Sequence, residues 1–387
     1  MGVIKYGKVA FRYGEGKHYY GELESIDLTE YKRGSFYGNV FLAFSYKAGY
    51  RGVYIPVVFP LQGKAYKIIF YDRTGLKIGE ISSETEKSPL INATFELLTL
   101  GCGAFDISLS ELPEYLKDIT YNYRVDIHLF GNGNPWYSGY ITDLPQEGTT
   151  ELAWKYSGYG FYNQLEDVLV ERVYEGREVA YIVNDLMSTL IEAATDIVYS
   201  VDKIKATAYE VQSIRWDRVS SKEVMKELAE MVLGYEFGVD EDREFFFRPK
   251  DTSINEDTRF WVGKHLTVFI PKADISKIKN KLHIYSGKVT GAAGEKTNYV
   301  LTVEDVPEGE NPKEDKLTLP SALDDADAGQ WGNYKLTESK DPVQTAKVKG
   351  VEVFKTKIEP IGKAKITSID GLHTYELPIK QVEDNYG

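Results

Sequence analysis

Between Ala65 and Gln164 the apolar runs are short and glycine interrupts them, a pattern that suits strands and leaves no room for a long helix. Tyr66-Lys-Ile-Ile-Phe-Tyr71 and Leu76-Lys-Ile-Gly-Glu-Ile81 flank Asp72-Arg-Thr-Gly75, the signature of a tight hairpin. Ala93-Thr-Phe-Glu-Leu-Leu98 and Phe105-Asp-Ile-Ser-Leu109 flank a second turn around Gly101 and Gly103. In Tyr123-Arg-Val-Asp-Ile-His-Leu-Phe130, Val125, Ile127 and Leu129 alternate with Arg124, Asp126 and His128, which predicts a half-buried strand. Gly131-Asn-Gly-Asn-Pro135 turns the chain into a strand over 136–142, and 151–159 returns as another. Such a succession predicts an antiparallel sandwich or barrel rather than a parallel sheet.

The period then changes. Val179, Ile182, Val183, Leu186, Leu190 and Ala194 recur at helical spacing, so 178–196 is expected to be an amphipathic helix. Ser220 with Glu223 forms a capping box for a second helix, whose buried stripe is Val224, Leu228 and Met231 and whose stop is Gly234. Residues 208–216 read as extended, and 235–239 with 244–248 as a hairpin around Asp240-Glu-Asp-Arg243. Strand character resumes at 281–285 and 298–303. The Asp-, Glu-, Pro- and Gly-rich stretch 304–329 is expected to be a long loop, and short strands return over 346–382, two of them across Asp370-Gly371. Ahead of all this, 40–44 and 53–59 are strand-like, with Pro56 favouring an edge.

The expected organisation is therefore a β-dominated α+β chain in four parts. These are an N-terminal β appendage (1–62), a first β unit (63–165), an α+β insert of two helices and a hairpin (166–270), and a second β unit (271–387) carrying the acidic loop near 304–329. The repeated Tyr-Ser-Gly-Tyr at 137–140 and 156–159, echoed at 285–287, reads as coincidence in a chain with 29 tyrosines.

At 387 residues the chain exceeds one ordinary core. No stretch approaches the roughly 20 apolar residues that span a bilayer, and Met1-Gly-Val-Ile-Lys5 lacks the apolar core of a signal peptide, so synthesis in the cytoplasm without membrane anchoring is expected. A net charge of −13 argues against a nucleic-acid grip, while an acidic wall would keep DNA from sticking as it passes. The one cysteine, Cys102, has no partner for a disulfide or a zinc knuckle.

Catalytic signatures are lacking. His18, His128, His265, His283 and His373 are scattered, Tyr156-Ser-Gly-Tyr-Gly160 is not a nucleophile elbow, and no phosphate-binding glycine loop follows a strand. The acidic runs 240–244 and 324–329 fail the spacing of a calcium loop. No enzyme, cofactor or metal is expected.

The run Leu97-Leu-Thr-Leu-Gly-Cys-Gly-Ala-Phe-Asp-Ile-Ser-Leu109, then Tyr123-Arg-Val-Asp-Ile127, Trp136-Tyr-Ser-Gly-Tyr-Ile141 and Tyr159-Gly-Phe-Tyr-Asn-Gln-Leu165, resembles the baseplate or tail-tip hub proteins of tailed phages and their relatives in contractile injection machines. Tyr137 and Ser138 add one residue to the family's spacing before Gly139. Leu228-Ala-Glu-Met-Val-Leu-Gly-Tyr-Glu-Phe237 is similar to the helix and hairpin of the family's inserted domain, and Ile275-Ser-Lys-Ile-Lys-Asn-Lys-Leu-His-Ile284 to the strand leading its second barrel. The resemblance spans 64–290 and more faintly the rest; residues 1–60 and the acidic stretch depart from it.

The resemblance implies two tail-tube-like antiparallel barrels per chain and a homotrimer forming a pseudo-sixfold ring at the distal end of the virion tail. Such a ring adapts a sixfold tail tube or distal ring to a threefold spike or central fibre, and genomic DNA passes through its lumen without specific binding. An oligomer or tube interface is expected at Phe105, Ile107, Val125, Ile127, Trp136 and Tyr140. Two other readings are a receptor- or carbohydrate-binding tail protein, motivated by aromatic-rich strands, and a tail-associated cell-wall hydrolase.

Overall fold

The computed structural model describes residues 11–13, 16–18, 37–46, 49–58, 65–84, 88–130, 133–145, 153–274, 278–290, 295–323, 325–340, 343–350 and 357–386. Parts of the expected segments, including Phe59, Gly131-Asn132, 151–152, 275–277 and Asp324, lie outside them.

Near the N-terminus β1 (Phe11–Tyr13) pairs with β2 (Gly16–His18), and β3 (Tyr37–Tyr46) with β4 (Gly49–Val58), both antiparallel. Each is a two-stranded ribbon, so Pro56, which has no N–H to donate, sits on an edge strand.

The next seven strands are β5 (Tyr66–Tyr71), β6 (Lys77–Ser82), β7 (Leu90–Leu98), β8 (Gly101–Leu109), β9 (Arg124–Leu129), β10 (Tyr137–Asp143) and β11 (Trp154–Gly160). Asp72 makes the β5–β6 turn by accepting the N–H groups of Thr74 and Leu76 at 2.8 and 2.9 Å. The hydrogen-bonded order is β6-β5-β9-β10-β11-β8-β7. Rings on strands well separated in that order nevertheless meet. Phe70 of β5 lies 5.9 Å from Tyr156 of β11, and Phe95 of β7 lies 5.5 Å from Tyr137 of β10. The sheet is thus curled around one apolar core that includes Ile68, Ile81, Ile107 and Ile141.

Beyond it come β12 (Leu169–Glu178), helix α1 (Val179–Leu186) continued by a π-helical turn over Met187–Ile191, β13 (Glu210–Ser220) and α2 (Ser221–Met231). The N-cap half of the expected box is present, with the Ser220 hydroxyl accepting the Glu223 N–H at 3.3 Å. β14 (Tyr235–Val239) and β15 (Phe245–Pro249) form the expected hairpin. The remaining elements are β16 (Ile254–Trp261), β17 (Leu266–Asp274), β18 (Lys281–Thr290), β19 (Glu295–Glu304), β20 (Glu314–Leu323), α3 (Asp325–Ser339), β21 (Val343–Gly350), β22 (Lys363–Thr367), β23 (Thr374–Pro378) and β24 (Gln381–Tyr386).

A five-stranded sheet runs β12-β13-β20-β18-β19, and the three helices bury their apolar faces in the core beside it. That core gathers Ile182, Val183 and Leu186 of α1, Val224 and Leu228 of α2, Trp331 and Leu336 of α3, and Trp216 and Ile284 of the sheet. Two small sheets, β16-β22-β23 and β17-β21, share a minor core around Leu266, Ala364, Ile366 and Leu377. β24 returns to pair with β7.

Three features among the described residues differ from the simple expectation. Among the described residues none of the sheets of a single chain closes into a barrel. The boundary expected at 270/271 is crossed by the five-stranded sheet, because β20 pairs with both β13 and β18. The stretch 304–329 is also not one loop: β20 and the start of α3 lie within it. Its acidic residues mislead because one of them is structural. Asp327 is fully buried and accepts the Tyr209 hydroxyl at 2.6 Å and the N–H groups of Gln212 and Ser213 at 2.9 and 3.3 Å, tying α3 to β13.

The hairpin β14–β15 joins the two larger cores. Its side chains Phe237, Val239, Phe245 and Phe247 belong to the helical core, while the Val239 N–H donates to Leu100 O at 2.9 Å beside a single parallel bridge to Gly101. A Cβ on Gly101 would sit 1.8 Å from Val239 O, and its φ of +117° is unfavourable to any other residue. Gly101→Ala is therefore expected to lower unfolding free energy by roughly 2–4 kcal/mol in denaturant titration, the size of other strained or overpacked sites. Gly133→Ala, where a Cβ meets open space, serves as a near-neutral control.

Glu227 of α2, at 3% exposure, accepts Trp216 Nε1–H at 2.8 Å and the Ser321 hydroxyl, linking helix to β13 and β20. Burial pushes its carboxyl up to about 7 from an ordinary 4.5, against the lowering effect of the two hydrogen bonds. The folded chain then keeps a proton that the unfolded chain releases, so this group's contribution is intact below about pH 4.5 and is lost as pH rises to about 7. The loss is on the order of 3 kcal/mol. Glu227→Gln, which mimics the protonated form, should melt several degrees above wild type at pH 8 and close to it at pH 4.5; an equal difference at both would refute the assignment.

Candidate assembly surfaces

The six residues expected at an interface are inside a single chain. Phe105, Ile107, Val125, Ile127 and Trp136 line the curled sheet's core, and Tyr140 faces the helical core with its ring 5.8 Å from Phe161; all six are 0–6% exposed. Within the single chain the apolar face of each strand serves its own core. The alternate face of β9 is also packed in part. The Arg124 guanidinium lies 3.9 Å from the Tyr71 ring centroid and 3.1 Å from Asp126, which accepts the Ser138 hydroxyl at 2.6 Å. Burial pushes the Asp126 carboxyl up, with the hydroxyl and Arg124 opposing.

At the joint between the two cores is a cleft of about 350 Å³ lined by Leu97, Gly101, Lys203, Asp240, Arg248 and Lys357, among others. Three of its four cations are matched by acids. Lys203 lies 3.2 Å from Asp240 and 2.9 Å from Glu244, Lys357 is 2.7 Å from Glu241, and Arg248 is 2.9 Å from Glu236. Asp240 also accepts the N–H groups of Asp242 and Glu244, so the acidic run 240–244 is a stapled turn. Cys102 borders the cleft, but burial pushes its thiol up to about 12, which disfavours the reactive thiolate. Among the described residues no three metal-ligating side chains cluster. His283, the histidine with the most defined setting, bonds Thr302 and Glu314 at 3.1 and 3.3 Å. Nor is any described helix long and apolar enough to cross a membrane.

The surface features that remain are strand edges and exposed apolar groups. Among the described residues β6, β12, β19 and β23 each pair on one side only, leaving rows of backbone donors and acceptors open. Leu169 and Val173 are exposed on edge strand β12, and Arg177 places its guanidinium 5.0 Å over the exposed ring of Tyr181. At one end of the β16-β22-β23 sheet, Trp261, Ile369 and Leu372 are 47%, 76% and 80% exposed. Sequence reasoning passed over this tip. Its signal was present, in that Ile369 and Leu372 bracket Asp370-Gly371, where the hairpin turn proves longer than the two residues expected: β22 and β23 separate after Thr367↔Thr374.

No protein-family model matches the sequence, and no curated protein does either. Solved structures do match its fold. A 43 kDa tail protein of prophage MuSo2 from Shewanella oneidensis aligns with a TM-score of 0.57 at 12% identity, covering 83% of this chain and 94% of that one. A tail protein from Neisseria meningitidis MC58 gives 0.56 at 9% identity, over 83% and 92% of the two chains. Prophage tail protein gp18 from Listeria monocytogenes EGD-e gives 0.51 at 12% identity, over 82% and 90%. Over more than four-fifths of its length the chain shares the fold of these tail proteins.

Proposed function

We propose that this chain is a structural component of a phage-type tail, built as a hub at its distal end. The observation that carries the reading is the shared fold, which takes in nine-tenths or more of each of three tail proteins despite identities of 9–12%. The physical character of the surface supports it. Sheets that stay open among the described residues, with unpaired edges on both larger bodies, suit a part whose hydrogen bonding is completed by neighbours.

In this reading three copies form a ring between the tail tube and a spike or fibre, and each tube-like barrel is closed by strands of an adjacent subunit. The four-part division at 62, 165 and 270 then describes the order of attachment along the chain rather than separate cores. The net charge of −13 suits a lumen through which DNA slides without adhering. The chain's role is to hold positions, and the buried carboxylates and the glycine joint supply that stiffness.

Gold-labelled antibody against this chain, viewed on whole particles by negative-stain electron microscopy, tests the reading. Label is expected at the distal tip of the tail. Label on the head, or particles that lack the chain altogether, would overturn it.

A further inference from the structure

The loop between β19 and β20 is ordered by design of its neck. Asn280, 4% exposed at the start of β18, accepts the Asp305 N–H on its carbonyl at 2.8 Å and the Lys313 N–H on its side-chain oxygen at 2.6 Å, and donates its own N–H to Lys313 O at 3.1 Å. At the tip the Glu310 N–H donates to Pro307 O at 3.1 Å, and Gly309 has φ +84°, as a type II turn requires of its third residue. The clamp and the turn hold Glu308 and Glu310 out in solvent, with no cationic partner among the described residues. Other acids of this stretch are engaged: Glu304 and Glu314 with Lys281, and Asp305 with Lys340.

An opposite surface exists on β17–β21. Residues directly across an antiparallel pair share a face, so Val268↔Lys349 and Ile270↔Lys347 place two lysines beside two apolar side chains. Phe269↔Val348 takes the other face, where Phe269 packs on Tyr375 at 5.0 Å. Ile270 is 58% exposed, Lys347 and Lys349 are exposed, and neither lysine pairs with an acid among the described residues. The net charge of the chain makes such a free basic face unusual here.

We propose that the turn Pro307–Glu310 of one copy seats on the Ile270, Lys347 and Lys349 face of a second copy. The proposal rests on the ring reading above and names the contact that would join its members. Charge and spacing both fit. Lys347 and Lys349 stand two residues apart on a strand, about 7 Å, and Glu308 and Glu310 flank one glycine. Pro307 brings an apolar edge to the exposed Ile270. A loop already clamped by Asn280 loses little freedom on docking. Because the two surfaces differ, the contact is head-to-tail, the kind that closes into a ring.

Charge exchange tests it, with self-association of the full chain followed by sedimentation and light scattering. Reversing the loop (Glu308→Lys with Glu310→Lys) or the face (Lys347→Glu with Lys349→Glu) should weaken association roughly tenfold or more, and added salt should weaken wild type in the same direction. The fourfold variant should regain association. Melting temperatures of all variants check that these exposed substitutions leave the fold intact. A second probe is Glu308→Cys combined with Lys347→Cys, since Cys102 is buried. Mild oxidation should then link chains covalently, and each single variant should stay unlinked. Association that ignores either reversal, or a fourfold variant that stays weak, overturns this contact while leaving the ring standing. A wild type that is monomeric at every concentration overturns both.

Discussion

A close backbone approach at Gly101 joins the two larger cores of this chain. The Val239 carbonyl occupies the space a side chain would need, and that contact puts the backbone of β14 against the curled sheet while its side chains complete the helical core. Nothing larger than hydrogen fits there, and the positive φ of Gly101 sets the same requirement independently. Through this point main chain fastens the two larger cores, alongside side-chain contacts such as Tyr140 with Phe161. The matched charges of the adjoining cleft, Lys203 with Asp240 and Lys357 with Glu241, surround the joint with further links.

Buried carboxylates do a similar service inside the helical body. Glu227 ties α2 to two strands, and Asp327 ties α3 to the backbone of β13. Apolar packing alone sets no unique angle between a helix and a sheet. A buried carboxylate with fixed donors does, because any other angle leaves it unsatisfied. The cost is a sensitivity to pH at Glu227.

Local pattern was readable from the sequence and long-range pairing was not. The β5–β6 hairpin, the alternation of β9, the capped helix at Ser220 and the β14–β15 hairpin follow from turn residues and period, which act over a few positions. The grouping of strands was missed, since nothing local tells β20 to lie between β13 and β18 or β24 to return to β7. Strand β20 was hidden by Pro320 and by the charged stretch before it, and α3 by acids that look solvated although Asp327 is buried. The placement of the candidate interface residues has a related reason. Alternation identifies a buried face without saying whose atoms bury it, and Phe105, Ile107 and Trp136 proved to be covered by their own chain. The exposed groups that remain, such as Ile270 with Lys347, carry no periodic signal because they interrupt the pattern rather than make it.

These elements describe a body with open strand edges among the described residues, on which the proposed tail role rests. The most direct measurement of that account is a cryo-electron microscopy map of the assembled tail at a resolution that traces strands. The account predicts three copies of this chain arranged about the tail axis, each with its joint at Gly101 intact and its open strand edges met by neighbouring subunits. A map in which the chain is absent from the tail, or lies off the axis as a single copy with its edges in solvent, would contradict it.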